Sequence, residues 1–144
     1  MLRLVLILIS SFILSASSAL PKKPPVVVYS NRLMIDRLMD VITYEGAVRM
    51  EFENYDLITD KMLINLYKDG EKTVLYSIEF PNQTKIANKK ASETVSAPNA
   101  VFDGKTGIIK CEGEIFVEKS GMLFTTTFVE IELGIPQKME HLLW

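Results

Sequence analysis

Between Val26 and Leu133 the chain repeatedly switches between apolar and polar residues every second position. Ile42, Tyr44, Val48, Met50 and Phe52 alternate with Thr43, Arg49, Glu51 and Glu53, and Ile109, Cys111, Ile115 and Val117 alternate with Lys110, Glu112, Glu114 and Glu118. A period of two turns successive side chains to opposite faces, so it predicts strands with one face buried and one in water. Val26-Val27-Val28-Tyr29 predicts another strand from its β-branched and aromatic content. Val74, Tyr76, Ile78 and Phe80 predict a further apolar face opposite Ser77 and Glu79. Turn signals separate these runs: Lys68-Asp69-Gly70-Glu71, Phe80-Pro81-Asn82, Asp103-Gly104-Lys105 and Lys119-Ser120-Gly121. The stretch from Met34 to Met39 could be a helical turn, because Leu33, Met34 and Leu38 share a face. Its counterpart further along carries Gly104, which favours strand and turn in both places. Turn signals at intervals of about 8–12 residues predict an all-β sandwich or rolled sheet.

The chain also repeats itself. Positions 29–66 fall without gaps on 96–133 at a constant offset of 67, with Asp36/Asp103, Ile42/Ile109, Glu45/Glu112, Gly46/Gly113, Glu51/Glu118, Thr59/Thr126, Ile64/Ile131 and Leu66/Leu133 identical. Val41/Ile108, Val48/Ile115, Met50/Val117, Leu57/Phe124 and Met62/Val129 keep the same class, so agreement runs along both alternating strands. In each copy an Asp ends one strand at a turn, a strand with Glu-Gly at its middle follows, and a third strand closes the unit. Glycine inside a strand weakens pairing, so Gly46 and Gly113 predict a bulge or bend that lets a sheet curl. Such units bury a continuous core only by stacking on neighbours.

The first nineteen residues stand apart. Arg3, the apolar run from Leu4 to Leu14 and the small residues Ser17-Ser18-Ala19 have the layout of a secretory signal peptide, cut after Ala19. The alternative is a retained membrane anchor, although eleven residues at about 1.5 Å each span only about half of a ~30 Å hydrocarbon layer. Residues 20–25 form a polar lead-in containing Pro21, Lys22, Lys23, Pro24 and Pro25, 26–133 form one domain, and 134–144 form a tail. Loss of Arg3 with the leader changes the formal charge from -2 to -3. That near-neutral balance argues against nucleic acid as a partner. Cys111 is the single cysteine, so no disulfide forms within the chain.

Catalytic chemistry finds little support. The single histidine, His141, lies in the tail, so a nucleophile–histidine arrangement has no scaffold. Cys111 occupies the position of Tyr44 in the other copy and reads as a small buried hydrophobe. Glu45, Glu51, Glu112 and Glu118 either form a carboxylate pair across the sheet or a solvated face, and the latter is the simpler reading. No convergent metal ligands are apparent, and no cofactor is expected. Asn82-Gln83-Thr84 matches a glycosylation acceptor, a common pattern of little weight.

The inward set comprises Val26, Val28, Ile42, Tyr44, Val48, Met50, Ile64, Ile86, Ile109, Cys111, Ile115, Val117 and Phe124. A mostly aliphatic wall of this kind suits two uses. It can pack on itself as a closed core, or it can receive acyl chains at about 0.8 kcal/mol per buried methylene. The outer strands are equally two-sided: Val26-Val27-Val28-Tyr29 has no charge and Phe128-Val129-Glu130-Ile131-Glu132-Leu133 only two acids. Weakly guarded edges fit strand addition to a partner, unless lead-in and tail cover them.

The ensemble of signal, length and doubled unit resembles the OstA-like repeat of the LptA/OstA family of lipopolysaccharide-transport proteins. The residues carrying the likeness are Val28 to Asp36, Val41 to Met50 with Glu45-Gly46, Leu57-Ile58-Thr59-Asp60-Lys61, and in the second copy Val101-Phe102-Asp103 followed by Ile108 to Val117. The resemblance implies an open β-jellyroll in the periplasm that holds lipopolysaccharide acyl chains inside and is not an enzyme. It also implies edge-strand pairing with related domains of inner- and outer-membrane transport proteins, or head-to-tail with further copies of the chain, as a bridge between membranes. Family lipid contacts fall near Val26, Val28, Ile86 and Phe102. The rivals are a membrane-anchored sibling of that pathway and a ligand-free structural β protein of the envelope. Tyr29-Ser30-Asn31, where the pattern often has an acidic residue, and the tail ending Leu142-Leu143-Trp144 depart from the family.

Overall fold

The structure, a computed structural model, describes residues 26–133 and Ile135. The proposed signal peptide, the lead-in and His141 lie outside the described residues. Ten strands form one antiparallel sheet: β1 (Val26–Tyr29), β2 (Arg32–Asp36), β3 (Val41–Phe52), β4 (Tyr55–Asp69), β5 (Lys72–Phe80), β6 (Thr84–Asn88), β7 (Glu93–Ala97), β8 (Ala100–Asp103), β9 (Ile108–Lys119) and β10 (Met122–Glu132). The stretch from Met34 to Met39 is strand then turn, as its glycine-bearing counterpart implies.

Four strands are long, and six are short. Each short pair covers one long strand's edge half by half. The first half of β3 pairs β2 and its second half pairs β1. On β4 the halves go to β6 and β5, and on β9 to β8 and β7. The molecule is therefore a stack of seven tiers in the hydrogen-bonding direction: β2/β1, β3, β4, β5/β6, β8/β7, β9 and β10. Every tier is folded at its middle, which makes two facing layers joined along a crease. The buried side chains of both layers belong to one core cluster. The alternation pointed to a sandwich or rolled sheet, and this is the antiparallel roll that the resemblance implies; the offset of 67 carries β1, β2, β3 and β4 onto β7, β8, β9 and β10.

The crease is made by the glycines that the repeat singled out. Between Glu45 and Val48 two residues of β3 oppose one of β4, and the same shift occurs where Ile115 pairs Thr126 and Glu112 pairs Phe128. Gly113 has φ +110°, and a Cβ there would lie 2.7 Å from Pro98 Cγ. Gly46, with φ +76°, is crowded in the same way by Asn31, the residue equivalent to Pro98, whose N–H donates to the Gly46 carbonyl at 2.9 Å. The first of these bulges also forces Ala47 to φ +46°. A second irregularity was not foreseen. Asn65 pairs Ser77 while Leu66 pairs Leu75, so Tyr76 is an extra residue in β5. The expected face of Val74, Tyr76, Ile78 and Phe80 is thereby broken: Leu75 turns into the core and Tyr76 turns out to water.

Candidate functional site: the inner face of the roll

Residues paired across an antiparallel sheet share a face, so the register identifies the inner lining tier by tier. In one layer Ile35, Ile42, Ile64, Ile78, Phe102, Ile109 and Ile131 form an unbroken row from the first tier to the last. The other layer answers with Val28, Met50, Leu57, Ile86, Val95, Val117 and Phe124. Two apolar rows facing each other across seven tiers form a lining about seven times 4.8 Å long, or roughly 30 Å.

The thirteen residues proposed to meet lipid, which are the inward set without Cys111 and with Phe102 added, all lie on this inner face. Ile42, Ile64, Phe102 and Ile109 stand in the first row, and Val28, Met50, Ile86, Val117 and Phe124 in the second. Tyr44 is one step nearer the crease, beside Leu33, and Val48 and Ile115 line the crease itself. Val26, opposite Phe52, sits at the outer lip. Ile35, Leu57, Ile78, Val95 and Ile131 complete the rows. Leu57 could have been taken from its class match with Phe124, and Ile78 from its own alternation, whereas Val95 belongs to a short segment with no strong period.

Their accessibility departs from expectation. Nine of the thirteen (Val26, Ile42, Val48, Met50, Ile64, Ile86, Phe102, Ile109 and Ile115) are only 0–6 % exposed, because the facing rows pack against each other. An accessible lining along the whole roll is therefore not what the chain adopts. Apolar surface is instead open at the two ends of the stack. Ile35 is 58 % exposed and Leu33 similar on the first tier, and Phe124 is 48 % exposed beside Met122 on the last. Ile35, Ile42 and Leu66 also line a cavity of about 260 Å³ at the first-tier end, rimmed by Arg37, Lys68, Asp36 and Asp40.

Polar groups on the inner side are few and paired. At the crease Thr84 Oγ1 donates to Thr59 Oγ1 at 3.2 Å, which donates to the Gln83 carbonyl at 3.3 Å. Cys111 is fully buried, and that burial pushes its thiol up to about 11, out of reach of ordinary nucleophilic chemistry. Burial also raises the Tyr44 hydroxyl. Charge is kept on the outer face, where Asp56 Oδ2 accepts from Arg49 at 3.1 Å and meets Lys89 Nζ at 3.2 Å, tying β3, β4 and the β6–β7 turn together. Glu45 meets Lys61 and Glu51 meets Arg49, so these two acids pair with bases and not with each other. Among the described residues no group of three or more His, Cys, Asp or Glu side chains is placed to hold a metal ion.

A crease-folded stack of tiers with an apolar interior is the LptA-like β-jellyroll. The crystal structure of LptH from Pseudomonas aeruginosa, the LptA-homologous periplasmic component of a lipopolysaccharide transport device, is similar over 76% of this chain and 77% of that one, with a TM-score of 0.53 and 14% identity. In sequence, the chain is 34% identical over 73 residues to the uncharacterized protein RP507 of Rickettsia prowazekii (strain Madrid E), and spans about half the length of that relative (51% of this chain, 50% of that protein). No family model matches the chain.

Proposed function

We propose that the protein is a periplasmic carrier of lipopolysaccharide, a bridging component whose facing rows part to hold acyl chains. The observation that carries this reading is the pair of unbroken apolar rows, which no further strand among the described residues covers at either end of the stack. An acyl chain slides in from an exposed end, beside Ile35 or Phe124, and replaces row-to-row contacts with row-to-lipid contacts. Burying about a dozen methylenes returns on the order of 10 kcal/mol, enough to offset separation of part of the lining. No bond is made or broken, and the residues assigned are the thirteen of the lining.

The partners follow from the edges. Among the described residues β1 and β2 pair only β3, and β10 pairs only β9. In the first copy of the repeat, the edge of β4 that corresponds to the free edge of β10 receives two short strands, β6 and β5. The first tier, β2/β1, is just such a pair. Seating one molecule's β2/β1 on another's β10 continues both apolar rows across the joint. Related β-jellyroll domains of inner- and outer-membrane transport proteins, or further copies of the chain, are suitable partners. Residues 1–19 serve as a cleaved export signal; a membrane-anchored sibling would keep them, and N-terminal sequencing of the exported protein separates the two.

Site-specific photo-crosslinkers test the carrier reading. At Val28 and Phe124, on the inner face, they should capture lipopolysaccharide in cells of a lipopolysaccharide-bearing host. At Glu51 and Leu123, on the outer face, they should not. Equal labelling at all four positions contradicts the reading. The near-complete burial of the lining favours a second reading, a structural envelope β protein with a closed core, which predicts no capture anywhere.

A further inference from the structure

The outer face carries a concavity that the lipid reading does not use. It lies over β4, β5 and β8, has a volume of about 740 Å³, and is lined by Tyr67, Tyr76, Ser77, Glu79, Val101, Asp103 and Lys105. We propose that this cleft is a binding site for a short stretch of neutral glycan.

The cleft is built by the fold. The bulge at Tyr76 throws that ring outward beside Tyr67, where the two meet edge to face with centroids 6.3 Å apart and planes at 85°. The β8–β9 turn is pressed onto the bulge: Gly104 N–H donates to the Tyr76 carbonyl at 2.9 Å, and a Cβ on Gly104 would collide with the Leu75 carbonyl. Glycine at that point brings Asp103 and Lys105 up to the aromatic pair. Asp103 Oδ1 accepts from the Lys105 and Thr106 N–H groups, which fixes the carboxylate at the edge of the cleft.

Each feature suits a sugar better than the alternatives. A perpendicular ring pair leaves Tyr76, 67 % exposed, with a free face on which the C–H side of a pyranose stacks. Glu79 and Asp103 accept hydrogen bonds from hydroxyls, and Lys105 and the tyrosine hydroxyls donate to them. With two acids against one base the cleft repels phosphate and nucleic acid. Its size lies within the range of about 300–1,000 Å³ typical of small-ligand clefts. A cationic peptide is the competing occupant.

Chitotetraose, titrated into the protein and followed by amide chemical shifts, tests the proposal, with tetralysine in a parallel titration. The expected result is saturable millimolar binding of chitotetraose, with shifts confined to β5, β8 and the β8–β9 turn. Tyr76→Ala should weaken it at least about tenfold and Tyr76→Phe by far less. Tyr76 is exposed, so both variants keep the fold. Absence of saturable shifts, shifts indifferent to Tyr76→Ala, or saturation by tetralysine instead of the sugar would each overturn it. Lipid capture at Val28 and Phe124 involves the opposite face and reads out separately.

Discussion

Cys111 and Phe102, near neighbours on adjacent tiers, show how completely the inner face excludes water: both are 0 % exposed. The Cys111 thiol, raised from 9.0 to about 11, titrates later folded than unfolded. Its contribution to stability is therefore fully present below pH 9 and disappears as pH rises through about 11. Chemical denaturation from pH 8 to 11 should show that loss, and Cys111→Ala should flatten the slope. The same burial predicts that native protein resists thiol alkylation and reacts only in denaturant; rapid native labelling would refute it. Truncation of Phe102 to Ala should cost about 3–5 kcal/mol in a urea titration, because the facing row cannot fully close the gap. That Cys111 is a buried hydrophobe was legible from its place in the alternation. That Phe124, on the same inner face as Val117, is half exposed was not. Exposure there depends on β10 pairing, among the described residues, with β9 alone, and periodicity carries no information about the end of a sheet.

The long strands depend on bends, and the bends depend on a few backbone positions. Gly113 combines φ +110° with Pro98 at 2.7 Å, so Gly113→Ala suffers both strain and a clash. It should destabilise by about 2 kcal/mol or more, against less than about 0.5 kcal/mol for the exposed neighbour Glu114→Ala. Equal effects in equilibrium unfolding would mean that the crease is not built by glycine. The crease could be read in advance because Gly46 and Gly113 occupy the same place in two copies of one unit. The bulge at Tyr76 could not. Its local sequence, Val74-Leu75-Tyr76-Ser77-Ile78, alternates with Val74, Tyr76 and Ile78 on one face and shows no sign of an extra residue; the break comes with Gly104 docking against the Tyr76 carbonyl. The outer cleft was invisible for the same reason, since its residues come from three strands and a turn.

At the scale of the whole molecule, the all-β class, the doubled unit and the identity of the inner face followed from period and repeat. The spacing between the layers did not. An alternating strand presents the same pattern whether its apolar face meets lipid or another strand, so sequence left a groove and a closed core equally open, and the structure closes the rows over most of their length. What keeps the carrier reading distinct is the apolar surface exposed, among the described residues, at both ends of the stack: Leu33 and Ile35 on the first tier and Met122 and Phe124 on the last. If these ends are where molecules join, Phe124→Glu should both lower lipid capture at Val28 and reduce concentration-dependent self-association in sedimentation velocity, since a charge on the inner face interrupts the row at the joint.

Native mass spectrometry of the protein purified gently from a lipopolysaccharide-bearing envelope bears most directly on whether the facing rows open for lipid. A carrier retains a mass corresponding to bound lipopolysaccharide, and Val117→Glu, which places a charge within the second row, releases it while the chain stays folded by circular dichroism. Protein that carries no lipid mass under conditions where noncovalent complexes survive, or a folded Val117→Glu variant that keeps all of it, would contradict the account.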